Sequence, residues 1–305
     1  MGKGYYIGVD VGGTKINMGI VDGRGNILSK RKIPTESGKG WVEIAERITS
    51  NIDAMLDDTG IGKMDVESIG FGVPGTVDAD AGIVIFAPNI GWRDIPFVEY
   101  MSDKTRLKTY IAQDTQAAAW GEFLFGAGRG CDTMICITLG TGIGSGIIIN
   151  GHIYKGGLGS AGEIGHIIVQ KNGRACNCGR KGCLEAYAGG LAIAQIAKER
   201  IPGFKDDMTC ETVFAMATAG NIYAKGIIDD AIAYIGIGMV NALNLISPQK
   251  VIISGGMSNQ TDLVESIKNF VRENGYSIAA DRVIIERAQL GDDAPMIGAA
   301  MLYRC

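Results

Sequence analysis

The residues best suited to chemistry lie between positions 163 and 185, where the chain reads Glu-Ile-Gly-His-Ile-Ile-Val-Gln-Lys-Asn-Gly-Arg-Ala-Cys-Asn-Cys-Gly-Arg-Lys-Gly-Cys-Leu-Glu. One of the two histidines, His166, and three of the seven cysteines, Cys176, Cys178 and Cys183, fall within this stretch. The spacing H-x9-C-x-C-x4-C supplies four N or S donors, the number that a closed tetrahedral zinc site takes. Asn177, Gly179, Arg180, Lys181 and Gly182 are turn-forming or charged, which describes an exposed knuckle and not a buried strand. The plainer alternative is three free thiols in a loop, although free cysteine ordinarily packs as a small buried hydrophobe. Glu163 and Glu185 flank the knuckle, and a metal clamp would draw both carboxylates toward one locus.

A second set of candidates sits in glycine turns. At 10–15 the chain reads Asp-Val-Gly-Gly-Thr-Lys between two apolar runs. Gly12 and Gly13 let backbone N–H groups close on an oxyanion, Thr14 and Lys15 offer further donors, and Asp10 is suited to a hydrated cation. The strand is followed by another strand and not a helix, so this is no Walker loop. Taken alone it is equally an ordinary hairpin turn. Placing Val9 on Ile137 brings Gly12 onto Gly140 and Asp22-Gly23 onto Asn150-Gly151, so strand, glycine turn, strand and hairpin recur in step. Two halves built on one plan carry more weight than either turn. A third junction, Gly255-Gly256 after a strand at 250–254, leaves bare backbone against which a nucleoside can pack.

The elements that must hold these residues follow from periodicity. Strands are expected at 5–10, 16–21 and 25–32, a helix at 41–57, and a buried strand at 68–73 running into Pro74-Gly75. An irregular segment, Ala87 to Trp92, places Asn89 in a Pro/Gly-rich loop as a candidate polar ligand group, with Trp92 read as a core plug. A strand at 109–112 ends in Gln113-Asp114 before a helix, so Asp114 is either an N-cap or a functional carboxylate at a strand edge. Helices are expected at 184–199, 210–217 and 222–246, and a strand at 282–287 precedes a terminal helix. The repeat suggests one domain of 1–112 plus 290–305 and a second of 113–289, the terminal helix docking on the first.

Composition limits the function classes. The chain has 305 residues, 46% hydrophobic and 20% charged, with a formal net charge of −4. That balance disfavours a nucleic-acid partner bound through phosphate neutralisation. Apolar runs look too short for a membrane span, no signal peptide is apparent, and Tyr6 stands where a myristoylation signal wants Ser or Thr. The scattered Cys131, Cys136, Cys210 and Cys305 form no disulfide framework, so a cytoplasmic protein is expected. Glycine, at 46 residues, is about twice its average usage, which marks a backbone that closely approaches something.

Three features together, D-V-G-G-T-K at 10–15, L-G-T-G-I-G-S-G at 139–146, and E-I-G-H with C-N-C-G-R-K-G-C-L-E at 163–166 and 176–185, resemble the ROK family (repressors, open reading frames and sugar kinases) of the actin-like ATPase superfamily. The chain is most similar to the glucokinase-type members. The resemblance implies an α/β fold of two ribonuclease H-like domains with a central cleft and a zinc knuckle, closing over ATP and a hexose. It places ATP, with Mg²⁺, on Asp10, Gly12, Gly13, Thr14, Lys15, Gly140, Thr141, Gly142, Gly144, Gly255 and Gly256. It places a structural zinc on His166, Cys176, Cys178 and Cys183. Asn89, Gly75, Gln113, Glu163, His166 and Glu185 are implied sugar contacts, and Asp114 the implied general base for transfer to a sugar hydroxyl, foremost the 6-hydroxyl of glucose.

The family usually carries Asn-Asp where this chain has Gln113-Asp114, and the extra methylene shifts a hydroxyl contact. N-acetylhexosamine, mannose, fructose, allose or a polyol therefore stand beside glucose as acceptors. A sugar-sensing regulator without a DNA-binding domain is the alternative from another class, since the first strand begins at Tyr5. The expected partners are a sugar and ATP, with no nucleic acid and no membrane, in a homodimer or homotetramer.

Overall fold

The computed structural model describes residues 4–305. The strands are β1 (Tyr5–Val11), β2 (Lys15–Asp22), β3 (Ile27–Pro34), β4 (Val66–Val73), β5 (Thr76–Asp78), β6 (Ile83–Ala87), β7 (Trp92–Ile95), β8 (Thr109–Gln113), β9 (Met134–Leu139), β10 (Ile143–Ile149), β11 (His152–Ile153), β12 (Lys250–Ser254) and β13 (Ile284–Arg287). The helices are α1 (Trp41–Thr59), α2 (Phe97–Thr105), α3 (Asp114–Phe125), α4 (Glu185–Ala188), α5 (Gly190–Arg200), α6 (Cys210–Thr218), α7 (Ile222–Ile246), α8 (Leu263–Asn274), α9 (Ser277–Ala280) and α10 (Ala294–Ala300). Two five-stranded sheets run in the orders β3-β2-β1-β4-β8 and β11-β10-β9-β12-β13. The repeat read from the sequence is thus a repeat of sheet plan: a strand, a glycine turn and a returning neighbour, with later strands added in parallel on the other side.

The chain divides into two compact units, one of residues up to Asp132 with Gly146–Ala161 and Gln289–Cys305, the other of Thr133–Ser145 with Gly162–Ala288. The sequence placed the first crossing near 113 and kept the return at 290. The structure instead keeps α3 with the first unit, because α3 packs against α10. A Cβ at Gly298 would overlap the Ala117 carbonyl, one at Gly121 would overlap the Ala294 carbonyl, and the Trp120 indole donates to the Met301 carbonyl at 2.9 Å.

Within the first unit the sheet has two different faces. Ile7, Val9 and Val11 alternate inward with Ile16, Met18 and Ile20 of β2 and Ile69, Phe71 and Val73 of β4, burying an apolar face against Ile44, Ile48, Ile52 and Met55 of α1. The other face is nearly bare. Gly8 lies in register with Gly19 on one side and Gly70 on the other, a row of three glycines across three strands. Helix α10 lies on this row so closely that a Cβ at Gly8 or Gly70 would overlap a helix carbonyl, of Met296 or of Ala299.

Several elements differ from their sequence expectations. The irregular segment expected over 87–92 is a 3-10 turn, Pro88–Ile90, joining two strands of a three-stranded sheet, β5-β6-β7, that the sequence reading did not include. Its strands are three to five residues long, too short for alternation to be visible. Trp92 is a core residue, 2% exposed and packed on Phe97 at a centroid distance of 5.2 Å. The helix expected at 184–199 is two, broken at Gly189, because Gly190 turns its N–H onto the Gly140 carbonyl at 2.9 Å. Helix α7 is, by length and composition, long and apolar enough to cross a membrane, contrary to the reading of short apolar runs. Its residues Ala224, Ile227, Ile228, Ala231, Ile235, Met239 and Leu243 keep helical spacing and are buried, and α7 packs against α4, α5, α6 and α8.

The glycine row yields a direct test. Gly70→Ala places a methyl on the Ala299 carbonyl, and overpacking of this kind is expected to cost about 2–3 kcal/mol in chemical denaturation. Gly38→Ala, where a Cβ meets nothing within 4 Å, is the control and is expected to stay within about 0.5 kcal/mol of the parent.

Candidate active site

In the first unit the turn from β1 to β2 is built as a closed loop. The Gly12 N–H donates to the Lys15 carbonyl at 3.0 Å, the Thr35 hydroxyl to the Gly12 carbonyl at 2.6 Å, and the Thr35 N–H to the Thr14 carbonyl at 2.9 Å. Gly13, Thr14 and Lys15 are left exposed at its tip. Asp10, at the end of β1, accepts from the Asn17 side chain at 3.2 Å. Burial pushes its carboxyl up to about 6, with Asp292 adding to the rise while Asn17 and Lys15 oppose it. Asp292 was not among the candidates read from the sequence. The acidic pair Asp292-Asp293 just before α10 was the available signal, and only the docking of α10 brings it toward Asp10.

Asp114 is the first residue of α3, and Gln113, extended at φ −64° and ψ 144°, is the residue that caps that helix by position. The N-cap role considered for Asp114 therefore falls one residue earlier. The Asp114 carboxylate accepts from the Thr115 N–H at 2.7 Å. Its position is set by β4, which pairs with β8 through Val73 and Gln113 and carries Gly72, whose Cβ would stand 3.4 Å from the Asp114 Cα. Gly75 takes φ 88° where the chain leaves β4, and a side chain there would strike the backbone of Phe86 and Ala87. Asn89 is exposed on a 3-10 turn, Pro88–Ile90, beside Gly13 of the first turn. Asp10, Gly12, Gly13, Thr14, Lys15, Gly75, Asn89, Gln113 and Asp114 therefore all belong to the first unit.

The second unit carries the second turn. The Gly140 N–H donates to the Gly142 carbonyl at 3.0 Å, closing the turn that leads to Gly144. Glu185 reaches into it and accepts the Ile143 N–H at 2.9 Å, occupying the space that a Cβ at Gly142 would need. The Leu191 N–H donates to the Thr141 carbonyl at 3.1 Å, so the start of α5 also leans on this turn. Gly255, at φ 87°, lies against the backbone of Leu139, and Gly256 opens a 3-10 turn in open space.

The knuckle is a small irregular hairpin held by Cys176 N–H to Arg180 carbonyl and Gly182 N–H to Arg174 carbonyl bonds, both 2.8 Å. It brings together the four expected donors: the ligand atoms of His166, Cys176, Cys178 and Cys183 lie within 4.8 Å of one another. The Cys178 and Cys183 sulfurs are 3.6 Å apart, too far for a disulfide, whose S–S bond is about 2.05 Å. Tetrahedral zinc with Zn–S bonds of about 2.3 Å has S···S edges of about 3.8 Å. The donor set and spacing fit that ion. His166 faces Cys176 with Nδ1 at 3.7 Å and Glu163 with Nε2 at 3.9 Å, so one ring addresses both the cluster and a flanking carboxylate.

The family model described as the ROK family matches residues 6–305. The chain belongs to the ROK family. Among ROK relatives, a glucokinase of Halalkalibacterium halodurans is 38% identical over 317 residues, covering 100% of this chain and 96% of that protein. A ROK family glucokinase from Streptomyces griseus, solved in complex with glucose and AMPPNP, superposes with a TM-score of 0.81 at 37% identity, covering 98% of this chain and 99% of that one. The xylose repressor of Bacillus subtilis is 30% identical over 302 residues, covering 98% of this chain and 77% of the repressor.

Two measurements check the site chemistry. Cys178→Ser removes an exposed donor, and it is expected to lower bound zinc in metal analysis and speed amide exchange across 166–185. For Asp10, the folded carboxyl titrates near 6 against 3.8 for the ordinary group, so folding favours its neutral form. That contribution is complete below about pH 4 and is lost as the pH rises through 6. In magnesium-free buffer Asp10→Asn is therefore expected to melt above the parent at pH 7.5 and together with it below pH 4.

Proposed function

We propose that this ROK protein is an ATP-dependent hexose kinase, with the 6-hydroxyl of glucose as its foremost acceptor. The observation that carries the reading is the end-to-end similarity to glucokinases, one of them solved with glucose and an ATP analogue. The chemistry of the residues supports it. Phosphoryl transfer asks for positioning, charge stabilisation and a base for the hydroxyl proton, and little else. The two glycine turns offer backbone N–H groups to phosphate oxygens, and the Gly255-Gly256 junction offers a bare surface to the nucleoside.

In this reading Asp114 takes the proton from the sugar hydroxyl as its oxygen attacks the γ-phosphorus. The bond to the bridging oxygen breaks and ADP leaves. Thr115 orients the carboxylate through its N–H, and the start of α3 keeps a helix N-terminus behind it. Glu163, His166, Glu185, Asn89, Gln113 and Gly75 are assigned to the sugar. Glu185 has a double task here, since the carboxylate assigned to the sugar also holds the second phosphate turn through the Ile143 N–H. Gln113 is the residue to examine for acceptor choice, because its longer amide alters which hydroxyl it meets. Asp10 would hold Mg²⁺, which supplies neutralisation of phosphate charge. His166, Cys176, Cys178 and Cys183 would hold zinc, which supplies the shape of the 163–185 segment and no step of the reaction.

A sugar-responsive regulator is the second reading, favoured by the match to a xylose repressor. Phosphorylation of a sugar separates the two. An ATP-consumption screen over hexoses, hexosamines and polyols is expected to show turnover with glucose, and silence across the whole panel would sink the kinase reading. Asp114→Asn is expected to lower kcat by at least ~10²-fold while sugar binding stays near normal, the scale of a general base. Near-normal turnover in that variant would remove Asp114 from the role.

A further inference from the structure

The first unit contains a cavity to which the reading above gives no task. It is about 260 Å³ and lies between the β5–β6 hairpin and the loop that follows β11. Val77, Asp78 and Asp80 line it from the hairpin, Lys155 and Leu158 from the loop, and Gln116 from α3. The loop is brought in by Gly159, which at φ 76° lays its backbone against the Val77 carbonyl. Lys155 closes one side through an ion pair with Asp80 at 2.9 Å. Asp78 is fixed by accepting the N–H groups of Asp80 and Ala81, at 3.1 and 2.9 Å.

Gln116 is the decisive residue. It is 3% exposed, and its Nε2 has no hydrogen-bond partner among the described residues. A buried amide left without a partner is costly, so a side chain retained in this state marks a place where an acceptor is wanted. The surroundings restrict what that acceptor belongs to. Two carboxylates against one ammonium leave the rim of the cavity with an excess negative charge, which disfavours phosphates and carboxylates. Carboxylate oxygens ask for hydroxyl donors, the amide asks for a hydroxyl acceptor, and Val77 and Leu158 offer apolar walls. A neutral ring with hydroxyls at its rim and C–H groups on its faces satisfies all of these.

We propose that this cavity is a carbohydrate subsite on the first unit, with Gln116 as its buried donor. The proposal rests on the sugar-kinase reading for its choice of ligand class. Gln116 stands two residues beyond Asp114 on the same helix. The ring it takes is either the second ring of a disaccharide or a second, separate monosaccharide.

Equilibrium dialysis with labelled glucose and labelled maltose distinguishes these, using the parent, Gln116→Leu and Leu158→Trp. Leu158 is 88% exposed at the loop tip, so its replacement narrows the cavity without touching the core. A separate monosaccharide gives two glucoses per chain in the parent and one in each variant. A linked ring gives maltose an affinity about tenfold above glucose in the parent, and no such advantage in either variant. One glucose per chain with no preference for maltose, no binding of either sugar, or titrations unchanged by both substitutions would overturn the subsite and leave the cavity to solvent. Failure of the kinase reading is separately visible as absence of phosphorylation in the hexose panel while these titrations stand.

Discussion

The row Gly19–Gly8–Gly70 is the constraint on which the first unit depends. Three neighbouring strands present no side chain at one level of the sheet, so the backbone of α10 can lie directly on backbone. A helix seated that closely has little freedom to slide or tilt, because interiors are packed to the density of organic crystals. Helix α10 in turn fixes α3 through the Gly121 and Gly298 approaches. The same face of the sheet carries Asp10 and Gly72 one step further along the strands, and Gly72 is where α3 begins at Asp114. Two carboxylates far apart in sequence are thus referred to one bare surface. The position of Asp114, the proposed base, is here set by the absence of side chains beneath a helix.

The second unit solves its positioning problem by a different means. Its glycine turn is held by a carboxylate, Glu185, and by the N–H groups of Gly190 and Leu191. Glu185 follows Cys183 by two residues, so the knuckle and the turn are joined through a single short segment. His166 makes the same kind of link on the other side, with one ring nitrogen toward the cysteines and the other toward Glu163. Each unit therefore couples its glycine turn to a support, a helix on a glycine floor in one and the segment that carries the Cys/His cluster in the other.

How much of this was legible in the sequence depended on how local the signal was. The H-x9-C-x-C-x4-C spacing lies within one segment, and its donors meet in space as expected. The offset repeat of strand, turn and strand predicted two sheets of one plan, because register with the next strand follows from the turn itself. The surplus of glycine announced close approach without naming the partner, which at Gly8 and Gly70 is the protein's own terminal helix. The break at Gly189, the placement of α3 and the β5–β7 sheet were not legible, since each is decided by contacts with residues far along the chain. Glu122 belongs with them. It is fully buried, and it accepts the N–H groups of Ala127, Gln289 and Leu290 at 2.9, 3.1 and 2.7 Å, yet in the sequence it is one more helical glutamate.

That buried carboxylate has a consequence for the order of assembly during synthesis. Two of the three donors that neutralise its burial lie more than 160 residues later in the chain, at Gln289 and Leu290. A charged group without its donors is not stably buried, so α3 cannot take its final seat while those residues are still unmade. Residues 133–145 and 162–288 leave the ribosome in the meantime and form a compact unit of their own. The unit begun first is thus completed only after residues 289–290 have been made, and the helix bearing Asp114 is locked with them.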